Sequence, residues 1–156
     1  MIFRLSARTV LAILTIGVAV PAARAANDTD IGRALPASTK LETDTYLVEI
    51  AAAGPYKAGA TGSVRVSLTA KAGYHINGQY PYRFKAAPPA EGMSYPKPVL
   101  ERSDGQFEEK QAVFNLKFVA NHAGTFNVGG VFHLSVCSAG SCVVQKTPLD
   151  ISVNVQ

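Results

Sequence analysis

The chain has 156 residues, of which 47% are hydrophobic and 17% are charged, a composition typical of one globular domain. The formal net charge of +4 comes largely from Arg4, Arg8 and Arg24, which precede every acidic residue. Without these arginines, 12 basic residues stand against 11 acidic ones. A chain this close to neutral has no field that would attract nucleic acid or anionic lipid, so we expect neither as a partner.

Residues 1–25 have the pattern of a secretory signal peptide. Two arginines are followed by an apolar run over residues 10–20, and Ala23-Arg24-Ala25 places small residues where signal peptidase reads them. A membrane anchor is the alternative, but this run is well short of the roughly 20 apolar residues that span a bilayer. We therefore expect cleavage after Ala25, export, and no membrane span in the mature chain.

The rest of the chain has the period of β-strands. Residues 26–42 are polar, contain a glycine and a proline, and predict a flexible N-terminal arm. Apolar and polar residues then alternate in several short segments, which indicates strands with one buried face. The clearest of these segments are 45–52, 62–70, 112–120, 124–137 and 149–155. We predict an all-β fold over residues 43–156, an antiparallel immunoglobulin-like β-sandwich of about seven strands.

Glycines and prolines mark three points at which the strand pattern is predicted to change. Gly129-Gly130 lies within the longest alternating segment and predicts a β-bulge. Pro148 predicts a bend before the last strand, and Pro81 argues against a central strand at that point. The alternation around the glycines places Phe132, Leu134 and Val136 toward the core and Cys137 on the opposite face.

The two cysteines, Cys137 and Cys142, are separated by Ser-Ala-Gly-Ser and flanked by segments with strand character. A tight turn between antiparallel strands would bring them to about 4.5–5.5 Å at Cβ, within reach of a disulfide. Export places them in an oxidising compartment, where one disulfide is the simplest arrangement. The bond is either a hairpin clip worth about 2 kcal/mol or a redox pair open to a partner thiolate. The residues alone leave both interpretations open.

Other chemistries have weaker support in the sequence. His75, His122 and His133 accompany the cysteines without paired ligand spacing, so we expect no metal site and no cofactor. His133 is interpreted as a histidine of the sheet surface, because four residues along a strand separate it from Cys137 by about 13 Å. No Ser-His-Asp set and no phosphate-binding glycine loop is recognisable.

The cysteine segment resembles a known family. Cys137-Ser-Ala-Gly-Ser-Cys142, followed by Lys146-Thr-Pro-Leu and a final strand, is similar to the N-terminal periplasmic domain of DsbD-type thiol:disulfide interchange proteins. The segments Gly73-Tyr-His-Ile and Tyr80-Pro-Tyr-Arg resemble the tyrosine-bearing segment of that family. The resemblance implies an immunoglobulin-like periplasmic domain that takes electrons from a membrane electron carrier and passes them to a thioredoxin-fold protein.

The resemblance also implies roles for the two cysteines. Cys137 and Cys142 match the redox pair, and in the family the second cysteine forms the bond to the partner. Their spacing is one residue shorter than in well-known members, and Val143-Val144 replaces the aromatic-proline residues expected after the second cysteine. The membrane-spanning and thioredoxin-like regions of the family have no counterpart in this sequence, so electrons would come from a separate protein.

The family shields its cysteine pair with aromatic residues and a cap loop. Tyr80 and Tyr82 match the aromatic residues that pack near the pair. Residues 103–109 are the candidate cap, in which Phe107 would be the shield. The candidate acidic residues of the cap are Glu108, Asp104 and Glu109.

Two functions from different classes follow from these patterns. The first is a redox shuttle of the protein-disulfide reductase type, in which the cysteine pair exchanges with a thioredoxin-fold protein. The second is a non-enzymatic exported β-sandwich for binding or structure, in which the same disulfide is inert.

Overall fold

The structure, a computed structural model, describes residues 37–156. The predicted signal peptide, residues 1–25, and most of the predicted arm, residues 26–42, lie outside the described residues. The described chain is almost entirely β, with a short 3-10 turn at Arg102–Asp104. Its strands are β1 (Lys40–Glu42), β2 (Tyr46–Ala52), β3 (Thr61–Ala70), β4 (His75–Ile76), β5 (Arg83–Ala86), β6 (Met93–Ser94), β7 (Val99–Glu101), β8 (Gln106–Phe107), β9 (Gln111–Ala120), β10 (Gly124–Cys137) and β11 (Cys142–Val155).

The strands form two sheets, and every pairing within the sheets is antiparallel. The first sheet has the order β1-β2-β3-β9-β6, with β8 also paired to β9. The second sheet has the order β11-β10-β5-β7, with β4 also paired to β10. In chain order, β2, β3 and β9 take the places of strands A, B and E of immunoglobulin domains, and β5, β7, β10 and β11 take those of C, C′, F and G. The predicted antiparallel β-sandwich is therefore confirmed.

The core lies between the two sheets and consists of the inward residues of the alternating segments. The bulkiest side chains with almost no solvent exposure are Tyr82, Phe84, Phe114, Phe118 and Phe132. Phe114 of the first sheet and Phe132 of the second meet edge to face, with ring centroids 5.5 Å apart. Each such side chain contributes about 1.5–3 kcal/mol when it leaves water. The contact between these rings joins the two sheets near their middle.

Gly129 and Gly130 lie in the middle of β10 without forming a bulge. The ladder between β10 and β11 is continuous from Gly124 to Cys137, so the predicted bulge is wrong. A Cβ atom on Gly129 would lie 2.2 Å from Leu149 O, and one on Gly130 would lie 2.2 Å from Lys85 O. The two glycines therefore allow the backbones of β11 and β5 to approach β10 closely, and the alternation of faces continues to Cys137.

Two predicted boundaries also differ from the structure. β11 runs from Cys142 to Val155, so Pro148 lies within a strand and does not mark a bend before it. Among residues 37–156, β11 is an edge strand, where a residue without an N–H is tolerated. Lys40–Glu42, at the end of the predicted arm, pairs with β2 and belongs to the first sheet.

Candidate functional site

Cys137 and Cys142 form a disulfide at the tip of the β10–β11 hairpin. They are the last residue pair of the ladder, and their Cα atoms are 4.0 Å apart. Ser138 closes the turn, because its N–H donates to Ser141 O at 2.8 Å and its Oγ accepts from Ser141 N at 3.3 Å. The predicted disulfide is therefore present at the end of a hairpin whose turn is closed by hydrogen bonds.

The two cysteines differ in exposure. Val136, next to Cys137, is buried in the core, so Cys137 and its partner Cys142 project from the outer face of the second sheet. Cys142 is exposed on that face, whereas Cys137 is only 7% exposed. We expected both cysteines to be open to a partner thiolate. In the structure only Cys142 is exposed, and Cys137 is covered.

β4 covers Cys137 from the side opposite Cys142. This two-residue strand pairs with β10 in the register Ile76–Val136 and His75–Cys137. Ile76 and Val136 are both buried in the core, so the side chains of His75 and Cys137 belong to the outer face. The residues His75, Cys137 and Cys142 therefore form one row across three neighbouring strands, which we call the cysteine row.

A cluster of hydrogen bonds after β4 holds this strand against β10. The N–H of Asn77 donates to the Tyr82 hydroxyl at 2.9 Å, and the hydroxyl donates to Ser135 O. The Asn77 side chain donates to Ser135 Oγ at 3.3 Å. Burial raises the pKa of Tyr82 to about 12, so its hydroxyl keeps its proton. Because Ser135 lies two residues before Cys137, these bonds fix the register of the cysteine row.

Tyr80, Tyr82 and Phe107, predicted to flank the cysteine pair, belong to one aromatic cluster. The Tyr82 ring centroid lies 5.1 Å from that of Tyr80 and 4.9 Å from that of Phe107. The Arg102 guanidinium lies over Phe107, 4.6 Å from its ring centroid, and donates to Asn77 O at 3.4 Å. The cluster thus supports the segment that follows β4, and β4 in turn covers the buried cysteine.

Glu108, the predicted acidic residue of the cap, is exposed outside this cluster. Its N–H donates to Gln111 O at 2.8 Å in the turn between β8 and β9. The carbonyl of the neighbouring Glu109 accepts from Ile76 N at 2.8 Å. The end of the predicted cap, residues 103–109, therefore contacts β4 through its main chain, and the role of Glu108 as an acid stays a prediction.

His133 lies on the outer face of the second sheet, away from the cysteine row. Its register partners are Arg83 in β5 and Lys146 in β11. Burial lowers the pKa of His133 below its usual 6.5, and the positive charges of Lys146, Arg83 and Lys85 lower it further. This environment agrees with the interpretation of His133 as a histidine of the sheet surface and offers nothing that would favour its protonated form.

The places of His75, Asn77 and Arg102 in the fold cannot be read from the sequence. The sequence presents His75 only as a possible metal ligand, because a strand of two residues is too short to show a period. The alternation along the sequence places Cys137 on the outer face. Its neighbour in β4, however, is set by a pairing between segments that are distant in the chain. The signal in the sequence was the tyrosine-rich segment itself, residues 73–85, which contains both His75 and Asn77.

No protein-family model matches the chain, and no curated protein is significantly similar to it. Within residues 37–156, no group of three or more His, Cys, Asp or Glu residues is placed to hold a metal ion. The helices of this described part include none that is long and apolar enough to cross a membrane. The cysteine row and its supports are therefore the features from which a function can be inferred.

Proposed function

We propose that the protein is an exported, periplasmic thiol–disulfide exchange domain that passes electrons between its Cys137–Cys142 pair and a thioredoxin-fold protein or membrane electron carrier. The observation that supports this most is the unequal exposure of the two cysteines, one open and one covered. Exchange needs one accessible sulfur that bonds to the partner and a second that leaves or returns. Export is proposed from the signal-peptide pattern of residues 1–25.

A purely structural role would gain little from this disulfide. The β10–β11 ladder already joins the two strands from Gly124 to Cys137, and the turn beyond it is hydrogen-bonded. A ring closed over a sequence separation of 5 adds only about 2 kcal/mol in the chain-entropy model. A larger stabilisation would require a bond between distant parts of the chain, so this placement favours exchange.

The exchange proceeds through a mixed disulfide. A partner thiolate attacks Cys142 Sγ, the Cys137–Cys142 bond breaks, and the electron pair of that bond leaves on Cys137. The second thiolate of the partner then attacks the partner sulfur that is bonded to Cys142, and Cys142 is released as a thiolate. The partner dithiol is thereby oxidised to a disulfide, and its two protons end on the reduced pair. The reverse sequence reduces a partner disulfide.

Trapping with a purified probe tests the role of Cys142. The probe is a thioredoxin-fold protein that lacks its resolving cysteine and carries thionitrobenzoate on the remaining one. In Cys137→Ala, we expect the exposed Cys142 to attack the probe, release thionitrobenzoate and form a mixed disulfide visible on non-reducing gels. Cys142→Ala is the matched control. The covered Cys137 of this variant should react with the probe at least about tenfold more slowly than Cys142 does in Cys137→Ala.

Faster trapping by Cys142→Ala than by Cys137→Ala would contradict this assignment of the partner-bonding sulfur. The reduction potential separates exchange from the alternative function, a non-enzymatic binding or structural sandwich with an inert disulfide. A potential above about −250 mV supports a shuttle, and one below about −300 mV is typical of a structural bond.

A further inference from the structure

His75 is the titratable side chain in direct register with the covered cysteine. It pairs with Cys137 across the β4–β10 ladder, and both side chains belong to the outer face of the sheet. Directly opposite residues of an antiparallel pair have Cβ atoms about 4.5–5.5 Å apart, a distance that an imidazole and a thiol can bridge. Cys137 therefore stands in register with Cys142 on one side and with His75 on the other.

We propose that His75 stabilises the Cys137 thiolate when the disulfide opens. The inference rests on the proposed function, because it concerns the sulfur that leaves while Cys142 bonds to the partner. The electron pair of the broken S–S bond arrives on Cys137, and the imidazolium N–H of His75 donates a hydrogen bond to it. When that proton passes to the sulfur, the products are a Cys137 thiol and a neutral imidazole, which takes a new proton from water.

The burial of Cys137 explains why such a neighbour is needed. A thiolate in covered, apolar surroundings is poorly solvated, so burial alone raises the pKa of a thiol and makes it a poor leaving group. A lower pKa of the leaving thiol speeds exchange, and a nearby histidine cation is an established way to lower it. Cys142 is exposed to water and has less need of this help.

Other charged groups around the row are placed less favourably. They are Lys110 and Glu109 beside β4, and Lys146 and His133 farther along the sheet. The Lys110 ammonium donates to Tyr74 O, and Glu109 is exposed in the turn before β9. Lys146 and His133 face each other four positions from the cysteine row, at about 13 Å along the strands. His75 is thus the one of these side chains that stands in register with the covered sulfur.

The main chain keeps His75 in this position. Asn77, two residues after it, is bonded to Tyr82 and Ser135, so β4 cannot slide along β10 without breaking these bonds. The side chain of His75 is itself exposed to water. A fixed backbone with an accessible imidazole is the arrangement that a proton donor to the covered sulfur requires.

Titration of a single thiol tests the proposal without any protein partner. In a Cys142→Ser background, Cys137 is the only thiol, and its thiolate is followed by ultraviolet absorbance as a function of pH. We expect His75→Ala to lower the thiolate fraction at neutral pH about tenfold. His133→Ala, a change to the other histidine of the same outer face, should leave that fraction unchanged, and His75→Lys should restore most of it.

The intact disulfide provides a second measurement that does not depend on folding of the single-thiol variant. Stabilising the thiolate favours the reduced pair, so His75→Ala should shift the equilibrium with glutathione about tenfold toward the disulfide, or about 30 mV. His133→Ala should not shift it. No effect of His75→Ala, or equal effects of the two histidine changes, would overturn the proposal. Successful trapping of the thioredoxin-fold probe alongside that result would leave the proposed function standing.

Discussion

Tyr82 lies where three segments of the site meet. Its hydroxyl accepts from Asn77 N–H and donates to Ser135 O, while its ring packs against Tyr80 and Phe107. Only 1% of this side chain is exposed, so its polar group has been taken out of water and relies on these two partners. The contribution of Tyr82 to the cysteine row therefore comes through the main chain that it connects.

Tyr82→Phe should lower the free energy of unfolding by about 1–3 kcal/mol, because it removes two buried hydrogen bonds between the hydroxyl and the main chain. Chemical denaturation followed by circular dichroism measures this difference. Tyr80→Phe is the matched control, since Tyr80 belongs to the same cluster but is only half-buried. Equal losses in the two variants would show that the two hydrogen bonds of the Tyr82 hydroxyl add no stability of their own.

At the scale of single elements, β10 is the strand on which the site depends. It pairs with β11, β5 and β4, so it positions both the sandwich core and the cysteine row. Its two central glycines are required by the close approach of the neighbouring backbones rather than by a bulge or an unusual φ. Any side chain at these positions would push a paired strand away.

Gly129→Ala should destabilise the fold by about 1–3 kcal/mol or more, since its Cβ would collide with the backbone of β11. Thermal unfolding provides the measurement. Gly140→Ala is the control within the same hairpin, because a Cβ atom there would have nothing within 4 Å. A Gly129→Ala protein as stable as Gly140→Ala would contradict the unbroken ladder through β10.

The sequence was informative wherever a strand was long enough to show alternation. The inward residues of β3 and β9 were predicted by their period, and the disulfide at the end of β10 by the short turn between two strand-like segments. β4 could not be predicted, because two residues have no period and their partner lies more than fifty positions away. The unequal burial of Cys137 and Cys142 depends on that pairing, so it became visible only in the folded chain.

At the scale of the whole molecule, the outer face of the second sheet carries a group of positive charges around His133. Arg83, Lys85 and Lys146 surround His133, and Val144, which is 56% exposed, lies between this group and Cys142. Glu101 offsets part of the charge through its contact with Arg83 at 3.5 Å. The face therefore resists the addition of a further proton at His133.

This charge arrangement gives the stability of the protein a defined pH dependence. The pKa of His133 is lower in the folded chain than its usual 6.5, so the unfolded chain binds the proton first as the pH falls. The contribution is fully present above 6.5 and is lost as the pH falls through the lower folded pKa. Hydrogen bonds from Lys97 and Lys71 lower the pKa values of Asp104 and Glu42, so a second loss follows in the acid range.

We expect the melting temperature to fall as the pH is lowered from about 7 to 5, and to fall again below about pH 4. Thermal melts across this range measure both steps. His133→Gln should remove the first step and leave the second, because it removes the histidine and not the carboxylates. If the first fall in melting temperature persists in His133→Gln, another titrating group causes it.

The position of β11 at the margin of its sheet limits how another chain can associate with it. Strand addition needs an unbroken row of main-chain donors and acceptors. Pro148 offers no N–H in the middle of this strand, and Asp150 N is already bonded to Ser38 O at 3.2 Å. Among residues 37–156, the stretch of this edge without a main-chain partner therefore lies at the hairpin end, where the first residue that a visiting strand reaches is Cys142.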